Sequence, residues 1–368
     1  MARIRLRTLT PIHIGSGTEE LISGIDYLKV GNITYILNKD RLYRVLLERN
    51  LFDRFLTGID STTKWLEEFM YKEGLLKQKV LEDICLYRIH TGGLSPKRIR
   101  PFIRDAFGKA FLPGSSIKGF LRSSLIYSIV SLTEPQTLER RFFNSLRELE
   151  NKKYNVREQA KRIGNFLEDE LSNFFIPYAS EKPHRDIFRT LLIKDSLPIK
   201  DEDIQVYEVR NIKKSGKATG FYTFTEAIKP GVEIELDTHL KDNILKTFSS
   251  TGKKLLFSNL RDILNMAQQF GNRVMENEIS FFSQSEQLKN VVYTLSSFRS
   301  KLIGKIGWGT GLEGTSVFSA LPPKVKREIK RRFYRVSDNR DFPETRRVVF
   351  EREKPSTPLG WVEFSLED

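Results

Sequence analysis

The segment at residues 111–122 reads FLPGSSIKGFLR, in which a Pro-Gly turn leads into an apolar stripe with helical spacing. Ser115 or Ser116 can cap this helix, and the free N–H groups of its first turn can hold a phosphate group. Lys118 and Arg122 lie four residues apart, so a helix places both on one face beside that site. The segment therefore predicts a helix with a phosphate site at its start. An ordinary capped helix with solvated basic residues fits the same spacing.

Positive charge is concentrated in two stretches of the chain. The 368 residues carry a net charge of +14. Residues 91–122 hold seven Lys or Arg against one acidic residue, and residues 324–347 hold ten against four. Clustered basic side chains attract polyanions and release counterions on binding. This distribution predicts a polyanionic partner, with a solvated basic face that binds nothing as the alternative.

The N-terminal segment predicts a strand with one apolar and one basic face. Ile4 and Leu6 form the apolar face, because they alternate with arginines. The basic face is made by Arg3, Arg5 and Arg7. A loop that reads TPIHIGSG follows at residues 10–17, and its proline and glycines end the strand. We expect the arginines, together with a basic turn at residues 213–217, to extend the phosphate site.

A glycine-rich loop that reads GWGTG lies at residues 307–311. Gly309 to Gly314 match the dinucleotide-binding Gly-x-Gly-x-x-Gly expression, but prolines at positions 322 and 323 leave no room for the long helix of such a unit. The 111–122 segment likewise lacks the spacing of a nucleotide-binding P-loop. Neither kind of nucleotide site is predicted. A structural turn and an RNA contact fit the GWGTG loop equally well.

Alternation and helical spacing elsewhere predict an α+β fold. Hairpins are expected over residues 25–37 and 204–226. Helices are expected over residues 40–57, 61–73, 116–131 and 255–270, with a charged helical insertion at about residues 134–180. Gly271 is predicted to end the last of these helices. The order of elements predicts two ferredoxin-like (RRM-like) domains, residues 1–190 and 191–368.

Aromatic side chains among basic residues suit single-stranded RNA, whose bases stack while Lys and Arg bind the backbone. Phe221, Tyr222 and Phe224 on the second predicted hairpin have this setting. RNA is therefore the expected polyanion.

Candidate catalytic and metal-binding residues are few. The four histidines are dispersed, and Cys85, the single cysteine, is expected to be an inert buried thiol, so no metal or cofactor site is predicted. A general base for RNA cleavage could stand at His13, with Glu19, Glu20 and Asp26 as possible metal ligands. We expect a structural role for His13 and no catalytic residue. No run of roughly 20 apolar residues and no secretory signal is visible, so we expect a cytoplasmic protein without membrane partners.

The three glycine-containing segments together resemble the RAMP superfamily, the repeat-associated proteins of CRISPR systems. Residues 113–122 match its Pro-Gly-Ser-Ser-Ile/Leu-Lys-Gly-x-Leu-Arg segment throughout. Residues 10–17 resemble its Thr-Pro-Leu/Val-His-Ile-Gly-x-Gly opening, and residues 306–312 resemble its C-terminal glycine-rich loop. The tail PETRR at residues 343–347 is similar to that of the fifth-subunit family of type III-A Csm complexes, apart from Glu344, where that family has Lys.

The resemblance implies a non-catalytic RNA-binding subunit that caps the backbone filament of a type III-A ribonucleoprotein at the 3′ end of the guide RNA (crRNA). It implies as partners the guide RNA, the other Csm subunits, above all the backbone RAMP subunit, and host nucleases recruited for maturation of the crRNA 3′ end. A metal- or histidine-dependent endoribonuclease and a protein–protein cap that scarcely touches RNA are the alternatives. The residues expected to contact RNA are Gly114, Ser115, Ser116, Lys118, Gly119, Arg122, His13, Gly15, Gly17, Arg3, Arg5, Lys213, Lys214, Gly307, Gly309, Gly311, Arg346 and Arg347.

Overall fold

The computed structural model describes residues 2–58, 65–164, 186–249 and 256–367. The strands are β1 (Ala2–Thr8), β2 (Leu21–Ile22), β3 (Tyr27–Val30), β4 (Ile33–Leu37), β5 (Cys85–His90), β6 (Arg98–Ile99), β7 (Leu191–Ile193), β8 (Ile204–Lys213), β9 (Ala218–Ile228), β10 (Glu233–Leu240), β11 (Ile303–Lys305), β12 (Thr345–Glu351), β13 (Lys354–Pro358) and β14 (Trp361–Glu367). The helices are α1 (Lys39–Glu48), α2 (Phe52–Gly58), α3 (Trp65–Lys72), α4 (Gln78–Ile84), α5 (Gly114–Leu132), α6 (Pro135–Asn151), α7 (Val156–Arg162), α8 (Asp242–Ser249), α9 (Leu260–Phe282), α10 (Lys289–Ser296), α11 (Gly311–Thr315) and α12 (Pro323–Phe333).

The strands form two large sheets, and β2 and β6 make a small third one. The first sheet has the order β11-β14-β1-β10-β7, and its neighbouring strands are all antiparallel. The second has the order β13-β12-β8-β5-β4-β3, with β9 also paired to β8. In it, β5 and β8 run parallel and are joined at His90 and Gln205. The hairpins predicted over residues 25–37 and 204–226 are confirmed as β3–β4 and β8–β9.

Both large sheets combine strands from the two sides of residue 190, where the sequence predicts a domain boundary. β1 lies between β10 and β14, with Ile4 opposite Leu236 and Leu366. β5 lies beside β8 across the same boundary. The α+β class is confirmed, but the sheets pair strands across residue 190 instead of forming one ferredoxin-like sheet on each side of it.

The helices α5 and α9 cover one face of the first sheet. Phe120 of α5 stacks on Phe364 of β14, with ring centroids 5.7 Å apart, and lies 5.8 Å from Phe270 of α9. Ile4 and Leu6 are fully buried in the same core, which confirms the apolar face predicted for β1. Removing these side chains from water is the main force that holds the two helices on the sheet.

Gly271 lies inside α9, so the helix end predicted at this residue is wrong. A Cβ atom at Gly271 would lie 2.1 Å from the carbonyl oxygen of Ile303. The glycine therefore allows α9 to approach β11 closely. The helix continues to Phe282 because buried apolar residues keep their helical spacing through Val274 and Met275.

Helices α1 to α4 pack in an apolar cluster of their own against the hairpin of β3 and β4. The single helix predicted over residues 40–57 is divided into α1 and α2, because Asn50 takes a positive φ of 54°. The helix predicted over residues 61–73 is confirmed as α3, and residues 59–64 lie outside the described ranges. Cys85 begins β5 and is only half-buried, although burial raises the pKa of its thiol.

The charged segment predicted to be helical from residue 134 is confirmed as helical through Arg162 by α6 and α7. Phe142 of α6 and Val325 of α12 are buried in one apolar cluster. Residues 165–185 lie outside the ranges that are described. None of the helices described is long and apolar enough to cross a membrane.

Candidate nucleic-acid interface

The predicted phosphate site at the start of α5 is partly filled by the protein itself. Gly114 is the first helical residue, and its N–H donates to Oδ1 of Asp195 at 2.8 Å. Pro113 is the N-cap residue and makes no side-chain cap of its own, so the cap predicted at Ser115 or Ser116 is wrong, and the Asp195 carboxylate caps the first turn instead. A carboxylate at a helix N-terminus takes the position that a phosphate would otherwise favour.

Lys118 and Arg122 share one face of α5, but both have partners within the fold. Lys118 Nζ donates to the carbonyl oxygen of Leu191 at 2.7 Å. Arg122 Nη1 donates to Oδ2 of Asp186 at 2.5 Å. Burial lowers the pKa of Lys118. These contacts fasten α5 to the segment that enters β7, and contact of either side chain with RNA stays a prediction.

The other side of the α5 start lines a cleft of about 260 Å³ that faces the glycine-rich loop. Ser116, Gly119 and Ser123 of α5 form one wall. The opposite wall is formed by Lys305, Ile306, Gly307, Thr310, Gly314 and Thr315. A Cβ atom at Gly119 would meet nothing within 4 Å, so the backbone here is open to a ligand. The cleft brings two of the three glycine-containing segments together.

The third glycine-containing segment, residues 10–17, packs directly against the glycine-rich loop. The N–H of Trp308 donates to the carbonyl oxygen of His13 at 2.8 Å. A Cβ atom at Gly307, whose φ is +77°, would lie 2.4 Å from the same oxygen, so only glycine fits there. Positive φ values are also found at Gly17, Gly309 and Gly311. Gly15 and Gly17 lie at the surface beside this contact.

His13 is fully buried beneath the loop. Its Nδ1 lies 2.7 Å from the carbonyl oxygen of Glu226, and since a carbonyl only accepts, Nδ1 carries the proton. Burial, and to a smaller extent the charge of Arg100, lower the pKa of His13 to about 4. The ring contacts Phe102 and Trp308 edge-on. A buried, neutral histidine supports the loop but does not reach a substrate at the surface, as a general base must.

Two guanidinium groups lie over the ring of Trp308. Those of Arg100 and Arg347 are 4.7 Å and 4.2 Å from the ring centroid, and we call this group the Arg–Trp–Arg stack. Burial and the charge of Arg100 lower the pKa of Arg347. Arg100 also lies 3.7 Å from Glu20 in a partly exposed ion pair, which offsets part of the positive charge of the stack. Two like charges held this close together favour the binding of an anion.

The sequence analysis named Arg347 as an RNA contact but did not single out Arg100 or Trp308. Arg100 lies in an irregular stretch between Pro96 and Pro101. This stretch has no strand or helix periodicity, so the sequence gives no reason to choose Arg100 over the neighbouring basic residues as a contact. The available indication was an aromatic residue flanked by two glycines in a basic chain, and the structure leaves this tryptophan partly exposed.

The family of the chain follows from these same segments. The sequence matches the RAMP superfamily over residues 5–313, a range that includes all three glycine-containing segments. The chain belongs to the RAMP superfamily. This confirms the resemblance expected from the segments themselves.

Curated relatives of this RAMP chain carry one name. The chain is 24% identical over 267 residues to "CRISPR system Cms protein Csm5" of Streptococcus thermophilus, which covers 68% of this chain and 68% of the relative. It is 24% identical to the protein of that name from Mycobacterium tuberculosis strain CDC 1551, over 63% of this chain and 64% of the relative. The Csm5 protein of Methanocaldococcus jannaschii is 22% identical, over 99% of this chain and 88% of the relative.

Two solved structures share the fold of this RAMP chain. A chain of the "Cryo-EM structure of Csm-crRNA-target RNA ternary complex in type III-A CRISPR-Cas system" has a TM-score of 0.69 and 22% identity, and the match covers 99% of this chain and 100% of that one. The "Crystal structure of T.onnurineus Csm5" has a TM-score of 0.67 and 19% identity, with 98% and 99% covered. The architecture therefore extends along nearly the whole length of both relatives.

The basic face predicted for β1 of this RAMP chain lies opposite acidic side chains. Arg3 lies 3.4 Å from both Glu235 and Asp237 of β10. Arg5 lies 3.5 Å from Glu235 and also contacts Glu367 of β14. These ion pairs leave little net positive charge on the face, so the contact of Arg3 and Arg5 with RNA stays a prediction without electrostatic support.

The basic turn of the β8–β9 hairpin is also paired. Lys213 lies 3.0 Å from Glu344, and Lys214 lies 2.7 Å from Asp341. Lys213 lowers the pKa of Glu344, the residue at which this chain departs from the family tail. The glutamate at position 344 therefore has a structural explanation, because it pairs with the basic turn of the neighbouring hairpin.

Arg346 and Arg347 are adjacent in sequence but have different surroundings. Arg346 is buried, contacts Glu313 at 2.6 Å, and lies over the ring of Phe281. Arg347 points to the opposite face of β12 and joins the Arg–Trp–Arg stack. Arg347 is thus placed over Trp308 of the glycine-rich loop, whereas Arg346 is held by Glu313 in the helix that follows the loop.

The acids considered as metal ligands lie apart from one another. Asp26 pairs with Lys39 at 3.0 Å and accepts from the N–H of Ile22. Glu20 pairs instead with Arg100. Among the residues that the structure describes, no group of three or more His, Cys, Asp or Glu residues is arranged to hold a metal ion.

Proposed function

We propose that this chain is a non-catalytic, RNA-binding subunit of a type III-A CRISPR effector complex. One observation carries the proposal: three glycine-containing segments remote in sequence meet at one place, next to the Arg–Trp–Arg stack. The names of the relatives and the complex in which one structural neighbour was solved support the same assignment.

The proposed contact uses an open backbone, hydroxyl groups and two arginines. Ser116 and Ser123 line the cleft beside Gly119, where a sugar–phosphate backbone can approach without meeting a side chain. Arg100 and Arg347 supply positive charge, and their planar groups can bind phosphate bidentately or stack on a base. Trp308 holds both guanidinium groups in place.

We further propose that the chain caps the backbone filament at the 3′ end of the guide RNA. Its partners would be the crRNA, the other Csm subunits, especially the backbone RAMP subunit, and host nucleases recruited to mature that end. The support is the match along nearly the whole length to a chain of a Csm-crRNA-target RNA complex. Binding the crRNA and recruiting nucleases are both non-covalent tasks, so neither requires a catalytic residue in this chain.

The non-catalytic part of the proposal is supported by the setting of the alternative residues. His13 is buried and its Nδ1 is occupied, and Glu20 and Asp26 pair with different cations. Incubation of the protein with labelled guide precursor, with and without a divalent metal ion, should leave the RNA intact. Cleavage that disappears in a His13→Ala or Asp26→Ala variant would instead establish the endoribonuclease.

The RNA contact is tested by removing the two stacked arginines. Arg100→Ala and Arg347→Ala should each weaken crRNA binding and lower the slope of log K against log salt by about 0.7, the value for neutralising one phosphate fewer on a single strand. Filter binding over a salt series measures both quantities. Arg54→Ala is the matched control, because Arg54 is an exposed, ion-paired arginine in the separate cluster of α1 to α4. An equal weakening in all three variants would refute the proposed site.

A further inference from the structure

Glu226 of β9 is a fully buried acid that the proposed RNA contact does not use. Its Oε1 accepts from the hydroxyl group of Tyr87 at 2.8 Å, and its Oε2 accepts from the N–H of Phe102 at 3.0 Å. The guanidinium group of Arg104 lies 3.5 Å from Oε2 and over the ring of Tyr87. Burial raises the pKa of Glu226, and these three neighbours oppose the rise. Both oxygens of the buried side chain are therefore occupied by partners within the fold.

The main chain of Glu226 holds the segment that carries Arg100. The N–H of Glu226 donates to the carbonyl oxygen of Arg100 at 3.0 Å, and the N–H of Arg100 donates to the carbonyl oxygen of Phe224 at 2.8 Å. Pro101 follows Arg100 and has no N–H, so the next donor along the backbone is the N–H of Phe102. The side chain of Glu226 accepts from that N–H. Glu226 therefore fixes the backbone on both sides of Pro101.

The Glu226 side chain takes the place of a strand partner at Phe102. β6 ends at Ile99, and Phe102 is buried, so its N–H needs a partner within the protein. On the other side, the carbonyl oxygen of Glu226 accepts from Nδ1 of His13, whose ring lies edge-on to Trp308. Glu226 thus contacts the segment that carries Arg100 and the histidine that supports Trp308.

We propose that Glu226 is a positioning residue for Arg100: by binding the N–H of Phe102, it holds the guanidinium group of Arg100 over Trp308. The inference rests on the proposed function, because Glu226 is buried and acts on RNA only through Arg100. A side chain on a segment without regular secondary structure takes its position from tertiary hydrogen bonds of this kind. The alternative is that Glu226 only compensates the buried charge of Arg104.

Glu226→Leu removes the acceptor for the Phe102 N–H at similar side-chain size. It should weaken binding of a single-stranded RNA oligonucleotide by about fivefold or more and lower the slope of log K against log salt by about 0.7, as Arg100→Ala does. When Arg100 is already alanine, Glu226→Leu should change neither quantity further. Glu226→Gln keeps an oxygen for the Phe102 N–H and should bind RNA like the wild type. Filter binding over a salt series measures all four proteins.

Two further variants separate position from stability and from charge. Tyr87→Phe is the matched control, because it removes a buried hydrogen bond from the other oxygen of Glu226 without touching the segment of Arg100. It should lower the urea midpoint of unfolding and leave RNA affinity unchanged. Glu226→Leu combined with Arg104→Met leaves no unpaired cation beside the leucine, which favours folding. This protein should bind RNA as weakly as Glu226→Leu alone.

Wild-type RNA affinity in Glu226→Leu, or a loss that adds to that of Arg100→Ala, would overturn the positioning role. An equal loss in Tyr87→Phe or Glu226→Gln would also overturn it, and so would wild-type affinity in the combined variant with Arg104→Met, which would establish charge compensation. If Arg100→Ala is itself silent, the proposed RNA site fails. If Arg100→Ala weakens binding and Glu226→Leu does not, that site stands and the positioning role alone falls.

Discussion

His13 links a strand end, a loop and a hairpin through one buried ring. It donates to Glu226, contacts Trp308, and its own carbonyl oxygen accepts from the Trp308 N–H. Within the described chain its Nε2 has no hydrogen-bond partner. Protonation would place a charge on this unpaired atom in an apolar setting, which explains the direction of its pKa shift.

The lowered pKa of His13 predicts a loss of stability in acid. Above pH 6.5 the ring is neutral in the folded and the unfolded chain. As the pH falls from 6.5 toward about 4, the unfolded chain takes up the proton and the folded one does not, so stability is lost across this window. The loss from this residue should reach about 3 kcal/mol at pH 4.

Comparison with His13→Gln isolates this contribution, because Gln can still donate to the Glu226 carbonyl and does not titrate. Urea unfolding at pH 7 and pH 4 should show the wild type losing about 3 kcal/mol more than the variant. An equal loss in both proteins would mean that His13 is not held neutral in the fold.

Among the elements, α9 and β11 pack closely at Gly271, and buried polar groups also join them. Lys305 of β11 and Glu278 of α9 form a fully buried ion pair. Trp361 Nε1 of β14 donates to the second oxygen of Glu278 at 3.1 Å. Because Lys305 lies two residues before the glycine-rich loop, this packing sets the position from which the loop starts.

Two glycines inside helices should respond to alanine in opposite directions. Gly271→Ala places a Cβ against the Ile303 carbonyl and should cost at least about 2 kcal/mol of unfolding free energy. Gly119→Ala has open space in α5 and should stabilise the chain by about 0.5–1 kcal/mol. Urea denaturation measures both. A stable Gly271→Ala protein would show that α9 and β11 can separate without cost.

Elements whose signals are local could be predicted from the sequence, and those that depend on remote packing could not. The hairpins β3–β4 and β8–β9 follow from alternation around a turn, and α5 from its apolar stripe. Gly271 was predicted to end α9, whereas in the fold it allows a close contact with Ile303. Ile303 is remote in sequence, so this contact could not be predicted. A glycine in a helical pattern indicates an end or a close contact equally well.

Across the whole molecule, the candidate site is assembled from three glycine-containing segments, at residues 10–17, 111–122 and 307–311, that are remote from one another in sequence. The glycine-containing segments could be predicted because each is locally unusual. The partners of Lys118 and Arg122 could not, because Leu191 and Asp186 reach them only through the tertiary fold. The same holds for Arg3, whose acidic neighbours depend on the register of β1 with β10. Charge counts along the sequence therefore overestimated the free positive surface.

The sheet topology predicts that neither half of the chain folds alone. Fragments 1–190 and 191–368 each lack hydrogen-bonded neighbours: β1 is separated from β10 and β14, and β5 from β8. Unpaired backbone groups and an uncovered core should leave each fragment without a cooperative unfolding transition, as measured by circular dichroism in urea. Co-expression is the control, because the two fragments together restore every strand pair and should purify as one species. A cooperative transition in either fragment alone would instead support two independent domains that meet at residue 190.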